Sequence, residues 1–244
     1  MADNVTYSIG WDATGERYFE AGTDRGVLYQ IVNNAYTNGV AWNGLTAVNS
    51  TPGGAEPNEL WADNIKYAVL RSAETYGGTI ECYTYPDEFK QNNGEENIVE
   101  GAAGIVASGQ ARKAFGLSYR TKVGNDIDGL DHAYKIHLVY NATASPSEKA
   151  YATINDSPDA ITMSYEFDTT PIAVTGTGLK KPTAHIEIDT AQLIKTDAEK
   201  AAAFIAALEL KLYGDPEGAT EADRTPSMPL PSELVTMYRT YFPS

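Results

Sequence analysis

Apolar and polar side chains alternate with a period of two along much of this chain, the pattern of strands that bury one face of a sheet. Phe115, Leu117 and Tyr119 alternate with Gly116, Ser118 and Arg120, and Tyr134, Ile136, Leu138 and Tyr140 alternate with Lys135 and His137. Ile161, Met163, Tyr165 and Phe167 share one face, with Thr162, Ser164, Glu166 and Asp168 on the other. Ala184, Ile186 and Ile188 repeat the pattern opposite His185, Glu187 and Asp189. Earlier strands are predicted around 17–31, 36–42, 64–71 and 77–85, separated by turn signals that include Asn38-Gly39 and Asn43-Gly44. Such signals mark hairpins only where the flanking strands pair. Several antiparallel strands are the economical reading.

The period changes once, near the C-terminal end. Thr196 followed by Glu199 fits a capping box, after which Ala201, Phe204, Ile205, Leu208 and Leu212 fall on one helical face and Gly214 supplies a stop. Leaving that stripe wet would cost roughly 1.5–3 kcal/mol per large side chain, so this 197–213 helix is expected to cover a sheet. Between Pro86 and Arg112 the alternation fades into Gln91-Asn92-Asn93-Gly94-Glu95-Glu96 and Gly101-Ala102-Ala103-Gly104. A long excursion of this kind within a compact domain usually has a task, and residues 87–109 are expected to be an arm that contacts neighbouring subunits. Residues 214–244 read as an irregular C-terminal extension. No composition break or fixed-period repeat divides the chain, so 1–244 is expected to be one mainly β domain.

The 244-residue chain is long enough to bury a substantial core without metal or disulfide staples. Its single cysteine, Cys82, lies in a strand-like run and reads as a buried thiol. The N-terminus lacks a basic region followed by an apolar stretch, and no run of about 18 apolar residues occurs. A cytosol-made soluble protein without a membrane segment is therefore expected. With 33 acidic against 18 basic side chains the formal charge is −15, which repels phosphates and anionic membranes. Nucleic acid could pass such a surface without being held by it.

Candidate chemistry is sparse. His132, His137 and His185 lack the His-Glu-x-x-His spacing of a zinc site and read as ordinary surface or interface residues. Asp126, Asp128, Gly129 and Asp131 resemble the start of a calcium loop, but the full spacing and terminal glutamate are missing, which favours an acidic turn. Gly101 and Gly104 lack the Lys-Ser/Thr that grips phosphate, and Ser108-Gly109 lacks a nucleophile elbow's context. Lys200 and Glu209 place charge around the helix without forming an acid–base pair. Tyr76, Tyr83 and Tyr85 could suggest ligand stacking, yet with no cationic strip beside them they suit half-buried sheets and subunit interfaces better. An enzyme is not expected; nor is any catalytic residue, cofactor or metal.

One ordered set of segments carries a resemblance. Gly22-Thr23-Asp24-Arg25-Gly26-Val27-Leu28-Tyr29 precedes Trp42-Asn43-Gly44-Leu45-Thr46, Ala55-Glu56-Pro57 and Trp61-Ala62-Asp63-Asn64-Ile65-Lys66-Tyr67. Ser72-Ala73-Glu74 then leads to Tyr76-Gly77-Gly78-Thr79-Ile80-Glu81-Cys82-Tyr83-Thr84-Tyr85-Pro86-Asp87-Glu88-Phe89. Further on come Phe115–Thr121, Tyr134–Tyr140, Leu212-Tyr213-Gly214 and Met228-Pro229-Leu230-Pro231-Ser232-Glu233-Leu234. In this order the segments resemble the major tail (tail tube) proteins of long-tailed bacteriophages, over most of the chain. The resemblance implies a tail-tube-like β-sandwich or barrel flanked by a helix. It also implies homo-hexameric rings stacked into a virion tail tube, made in the host bacterial cytoplasm and conducting DNA without specific binding. The implied partners are the tape-measure protein in the lumen, a tail terminator, and baseplate or distal tail proteins. The alternative is another β-rich virion protein, such as a tail completion or capsid decoration protein; a separate binding module would instead be a stable monomer with a saturable small ligand.

Overall fold

A computed structural model describes residues 11–54, 56–71, 74–99, 104–151, 153, 160–176, 178 and 181–243. Ala55, Ser72, Ala73, Gly101, Ala102 and Ala103, singled out above, lie outside the described residues. The chain is mainly β, built on one large antiparallel sheet with helices toward the C-terminus. Its strands are β1 (Phe19–Val32), β2 (Ala35–Ala41), β3 (Leu45–Ser50), β4 (Gly53–Gly54), β5 (Pro57–Ala62), β6 (Ile65–Arg71), β7 (Glu74–Thr75) and β8 (Gly77–Cys82). They continue as β9 (Glu95–Asn97), β10 (Val106–Ser108), β11 (Phe115–Asn125), β12 (Gly129–Ala144), β13 (Met163–Thr169) and β14 (His185–Asp189). Among the described residues four α-helices follow: α1 (Thr190–Thr196), α2 (Ala198–Tyr213), α3 (Glu221–Arg224) and α4 (Pro231–Tyr241).

The main sheet runs in the order β2-β1-β11-β12-β13-β8-β3, with β14 also paired to β12. The path does not close, so the barrel expected as one form of the fold is not formed. Its branch point is Asn141, held at a φ of +51°. Before it, Lys135–Val139 of β12 pair with β14; beyond it, Ala142–Ala144 pair with β13. The left-handed turn, which Asn tolerates better than most residues, redirects β12 so that β13, β8 and β3 fold back over the sheet.

Two cores result, one on each face of β1, β11 and β12. On the first, Val27, Tyr29, Ile136, Leu138, Tyr140 and Ile188 meet Ala201, Phe204, Ile205, Leu208 and Leu212 of α2. The five helical residues are those the apolar stripe selects. On the second, Leu28, Phe115, Leu117, Tyr119 and Val139 meet Ile80, Cys82, Tyr165, Phe167 and Trp42. Ile161, placed on the same face as Tyr165 by alternation, lies beyond β13 and is exposed.

Several local expectations need correction. The β1–β2 hairpin turns at Asn33-Asn34, both at positive φ, and Asn38-Gly39 instead forms a bulge within β2, where Gly39 N donates to Pro226 O at 3.0 Å. A Cβ on Gly39 would sit 2.7 Å from both Tyr29 and Pro226, so the bulge lets the C-terminal extension approach. The α2 cap is Asp197, whose carboxylate accepts from Lys200 N, whereas the Thr196 hydroxyl donates to Gln192 O inside α1. Asp197 ends α1 and begins α2, so the cap sits at the junction of two helices. Nor is the C-terminal extension irregular throughout: Pro231 starts α4, Glu233 accepts from Leu230 N at 3.2 Å, and Leu234 packs on the first core. Tyr140 Oη fixes the preceding stretch by donating to Pro229 O at 2.9 Å.

Candidate functional site

One unusual surface is built from the described residues between 51 and 76. β3 and β8 are antiparallel neighbours, paired up to Ser50 with Gly78 and Thr51 N with Gly77 O, so a tight turn could have joined them. The chain instead leaves the body through the short β4–β7 ladder and forms the β5–β6 hairpin, whose strands, among the described residues, pair only with each other. Asp63 and Asn64, at φ +51° and +63°, make its tip, the conformation of the tight primed turns that suit strand twist.

This hairpin is roughly 20 Å of two-stranded ribbon, a form that has little stability by itself. It nevertheless carries Leu60, Trp61, Ile65, Tyr67, Val69 and Leu70 exposed, with Trp61 at 64%, Ile65 at 62% and Tyr67 at 73%. A cross-strand Lys66–Glu59 ion pair braces it. Six large apolar side chains on a ribbon with open backbone edges form a surface suited to burial against another chain.

The sequence pointed to a different arm, 87–109, and the described part of that segment divides in two. Its first half is anchored: Phe89 is fully buried, 4.6 Å from the Trp42 ring and 5.0 Å from Tyr165 between centroids. Asn92 is also fully buried, donating to Lys113 O and accepting from Gln30 Nε2, both at 3.0 Å. The second half, β9–β10, projects as a small hairpin with Ile98, Val99 and Ile105 exposed. Lys149 holds its root through a 2.8 Å ion pair with Glu95.

The charged candidates sort into structural pairs. Glu209 reaches from α2 to accept from Arg120 at 3.3 Å and Tyr134 Oη at 3.0 Å, while Arg120 also holds Asp24 through two contacts of 2.9 and 3.0 Å. The Arg120 guanidinium lies 4.4 Å over the Tyr134 ring, and its hydrogen bonds hold the Asp24 carboxyl below the ordinary carboxylate value. Lys200 pairs with Asp197 at 3.1 Å. Asp126 accepts from Gly15 N at 3.0 Å, and Asp128 faces His132 Nδ1 at 3.0 Å. Among the described residues no three His, Cys, Asp or Glu side chains are grouped to hold a metal ion. Ser108 ends β10 with no helix following, Gly104 sits in a bend, and Cys82 is buried, which pushes its thiol's pKa up.

The histidines depart from expectation. His137 lies on the polar face of its strand yet is 7% exposed, because β12 is covered on both sides. Its ring stacks on Tyr119 at 4.6 Å and on His185 at 5.4 Å, and His185 in turn stacks on Tyr76 at 4.4 Å. Tyr83 is exposed and Tyr85 packs edge-on against Phe89 and Tyr165, so the three tyrosines have separate surroundings. No sequence signal could have paired histidines 48 positions apart.

Neither a protein-family model nor a curated protein sequence matches the chain. Among solved structures it is similar to a chain in the six-fold symmetrised cryo-electron microscopy structure of the anti-feeding prophage baseplate. The TM-score is 0.33 at 7% identity, covering 74% of this chain and 97% of that one. A superposition this loose carries no argument about function. Among the described residues no helix is long and apolar enough to cross a membrane.

Proposed function

We propose that this chain is a structural virion protein, the subunit of a phage tail tube that closes into rings of six and stacks them into a conduit for DNA. The observation that carries the reading is the β5–β6 arm, a ribbon that among the described residues has no further strand partner and that displays Trp61, Ile65 and Tyr67 to solvent. Its sequence is also a segment on which the resemblance to tail tube proteins rests. Exposed strand edges and apolar hairpins gain partners when equivalent interfaces close a ring, and arms can then bridge successive rings. The β9–β10 hairpin adds a second apolar projection for contact between subunits. In this role no residue makes or breaks a bond. The net charge of −15 favours passage of DNA over its adhesion. A tape-measure protein in the lumen, a terminator and distal tail proteins are the corresponding partners.

Electron microscopy of purified protein over a concentration series tests this. Image averages are expected to show long hollow polymers with six-fold symmetry around a central hole. A monomer that persists on prolonged incubation under virion-like conditions, or a single terminal ring, or binding to capsid faces alone, would overturn the tube reading.

A further inference from the structure

The root of the arm is Tyr76, between β7 and β8, and the main sheet grips it from two sides. Its carbonyl accepts from Thr169 N at 3.0 Å, and its ring begins the four-ring stack Tyr76, His185, His137, Tyr119. The terminal hydroxyls of Tyr76 and Tyr119 approach to 3.4 Å, so the stack closes on itself. Tyr76 sits at the arm's root, and the other three rings belong to β14, β12 and β11. Beside the stack opens a cleft lined by Pro52, Glu74, Tyr76, Pro182, Thr183 and His185.

The two histidines face each other through nitrogen, with His137 Nδ1 3.2 Å from His185 Nε2. His137 Nε2 is engaged by the Thr121 hydroxyl at 3.0 Å, on β11. A 3.2 Å contact holds one hydrogen between two ring nitrogens, one donating and one accepting. With both rings neutral or one charged, that arrangement survives. With both charged, two N–H groups oppose each other and two cations share a buried stack.

The surrounding charges do not remove that conflict. From β14, the Glu187 carboxylate is 3.9 Å from His137 Nδ1, and from β1 Glu20 also favours the charged ring. Both are already held by Lys135 of β12, at 3.0 and 2.5 Å, and that lysine opposes a charge on His137. Glu74 lines the same cleft as His185. Burial is the main cause that lowers both histidines, with His137 also opposing a charge on His185, which is lowered to about 4.

We propose that this stack is an acid-released lock on the assembly arm: neutral His137 and His185 hold Tyr76 and fix the arm's direction, and their protonation frees it. The proposal rests on the arm's role in assembly given above and adds its control. Sign follows from linkage. A histidine lowered in the locked state takes up protons more readily when the lock opens, so locking is complete above the ordinary value of 6.5 and weakens as pH falls toward 4. That difference for His185 corresponds to a roughly 300-fold rise in the ratio of open to locked forms across the window.

The test uses the full chain carrying Asn58→Cys, labelled with a fluorescent dye, at concentrations below polymerisation; Cys82 is buried and does not compete. Dye anisotropy should fall on acidification with a midpoint between pH 4 and 6.5 and recover on return to neutrality. His185→Phe keeps a stackable ring without a titrating nitrogen and should stay flat over that window. Should His185→Phe fail to fold, His185→Gln serves in its place, with the same flat response expected. An unchanged wild-type anisotropy, or the same fall in the variant, overturns the lock. Because the readout is on unassembled protein, it stands or falls separately from tube formation. In parallel, pelleting of tubes at pH 5 should be weaker than at pH 7.5 for wild type and equal for the variant.

Discussion

Replacing Trp61 by Ser separates assembly from folding more cleanly than any other single change. The side chain is 64% exposed on a ribbon that contributes to neither core, so the free subunit has little to lose. Aromatic side chains bury roughly 150–250 Å² each, so the exposed part of a Trp amounts to about 130–160 Å². At about 25 cal/mol per Å², covering it is worth about 3–4 kcal/mol. Ordering the side chain at an interface takes back about 1 kcal/mol, leaving about 2–3 kcal/mol for each arm seated. The critical concentration for tubes, read by sedimentation across a dilution series, should rise roughly 30- to 150-fold. Melting of the unassembled subunit should move by no more than about 2 °C, as for a surface substitution in a chain of this size. A critical concentration unchanged within about threefold would refute the assignment of the arm as the seated element. A large fall in subunit melting would show instead that Trp61 serves the fold.

Leu208→Asp puts a carboxylate into the fully buried apolar face of α2 and should lower the urea midpoint by about 1–2 M; an unchanged midpoint would contradict the placement of that helix. Phe89→Ala should cost about 3–5 kcal/mol in chemical denaturation, because a fully buried ring among Trp42, Phe115 and Tyr165 is removed. Ile98→Ser with Ile105→Ser, from the projecting half of the same segment, should leave unfolding unchanged and weaken polymer formation; loss of subunit stability would place those residues in the fold. Arg120→Met removes the cation hydrogen-bonded to Asp24 and Glu209, leaving Glu209 its weaker 3.6 Å pair with Arg25, and should cost about 1–3 kcal/mol at neutral pH. The Asp24 carboxyl is held below its ordinary value of 3.8, so its share of that stability is present above this pH and is lost as pH falls below it. The difference between wild type and Arg120→Met should therefore narrow in acid, and a constant difference from pH 7 to pH 3 would refute the assignment to Asp24.

Local periodicity was enough to assign Tyr134, Ile136, Leu138 and Tyr140 to one strand face, and Ala201, Phe204, Ile205, Leu208 and Leu212 to one helix face. Both patterns follow from backbone geometry within a few residues, and burial selects for them directly. The sequence also marked 87–109 as an aperiodic excursion, but alternation cannot register a lone buried aromatic, so Phe89 and its core contacts were invisible. Asn38-Gly39 looked like a turn because the same left-handed conformation serves turns and bulges; only the pairing of β1 with β2 distinguishes them. His137 carried a polar-face signature that holds where a sheet has one wet side, and it failed because β13, β8 and β3 fold back over that side. The separation of the β5–β6 arm from the main sheet, the branch at Asn141 and the facing of His137 with His185 are all matters of long-range register. They depend on which distant strands pair, and that is decided by the summed packing of both cores, which no short window of sequence contains.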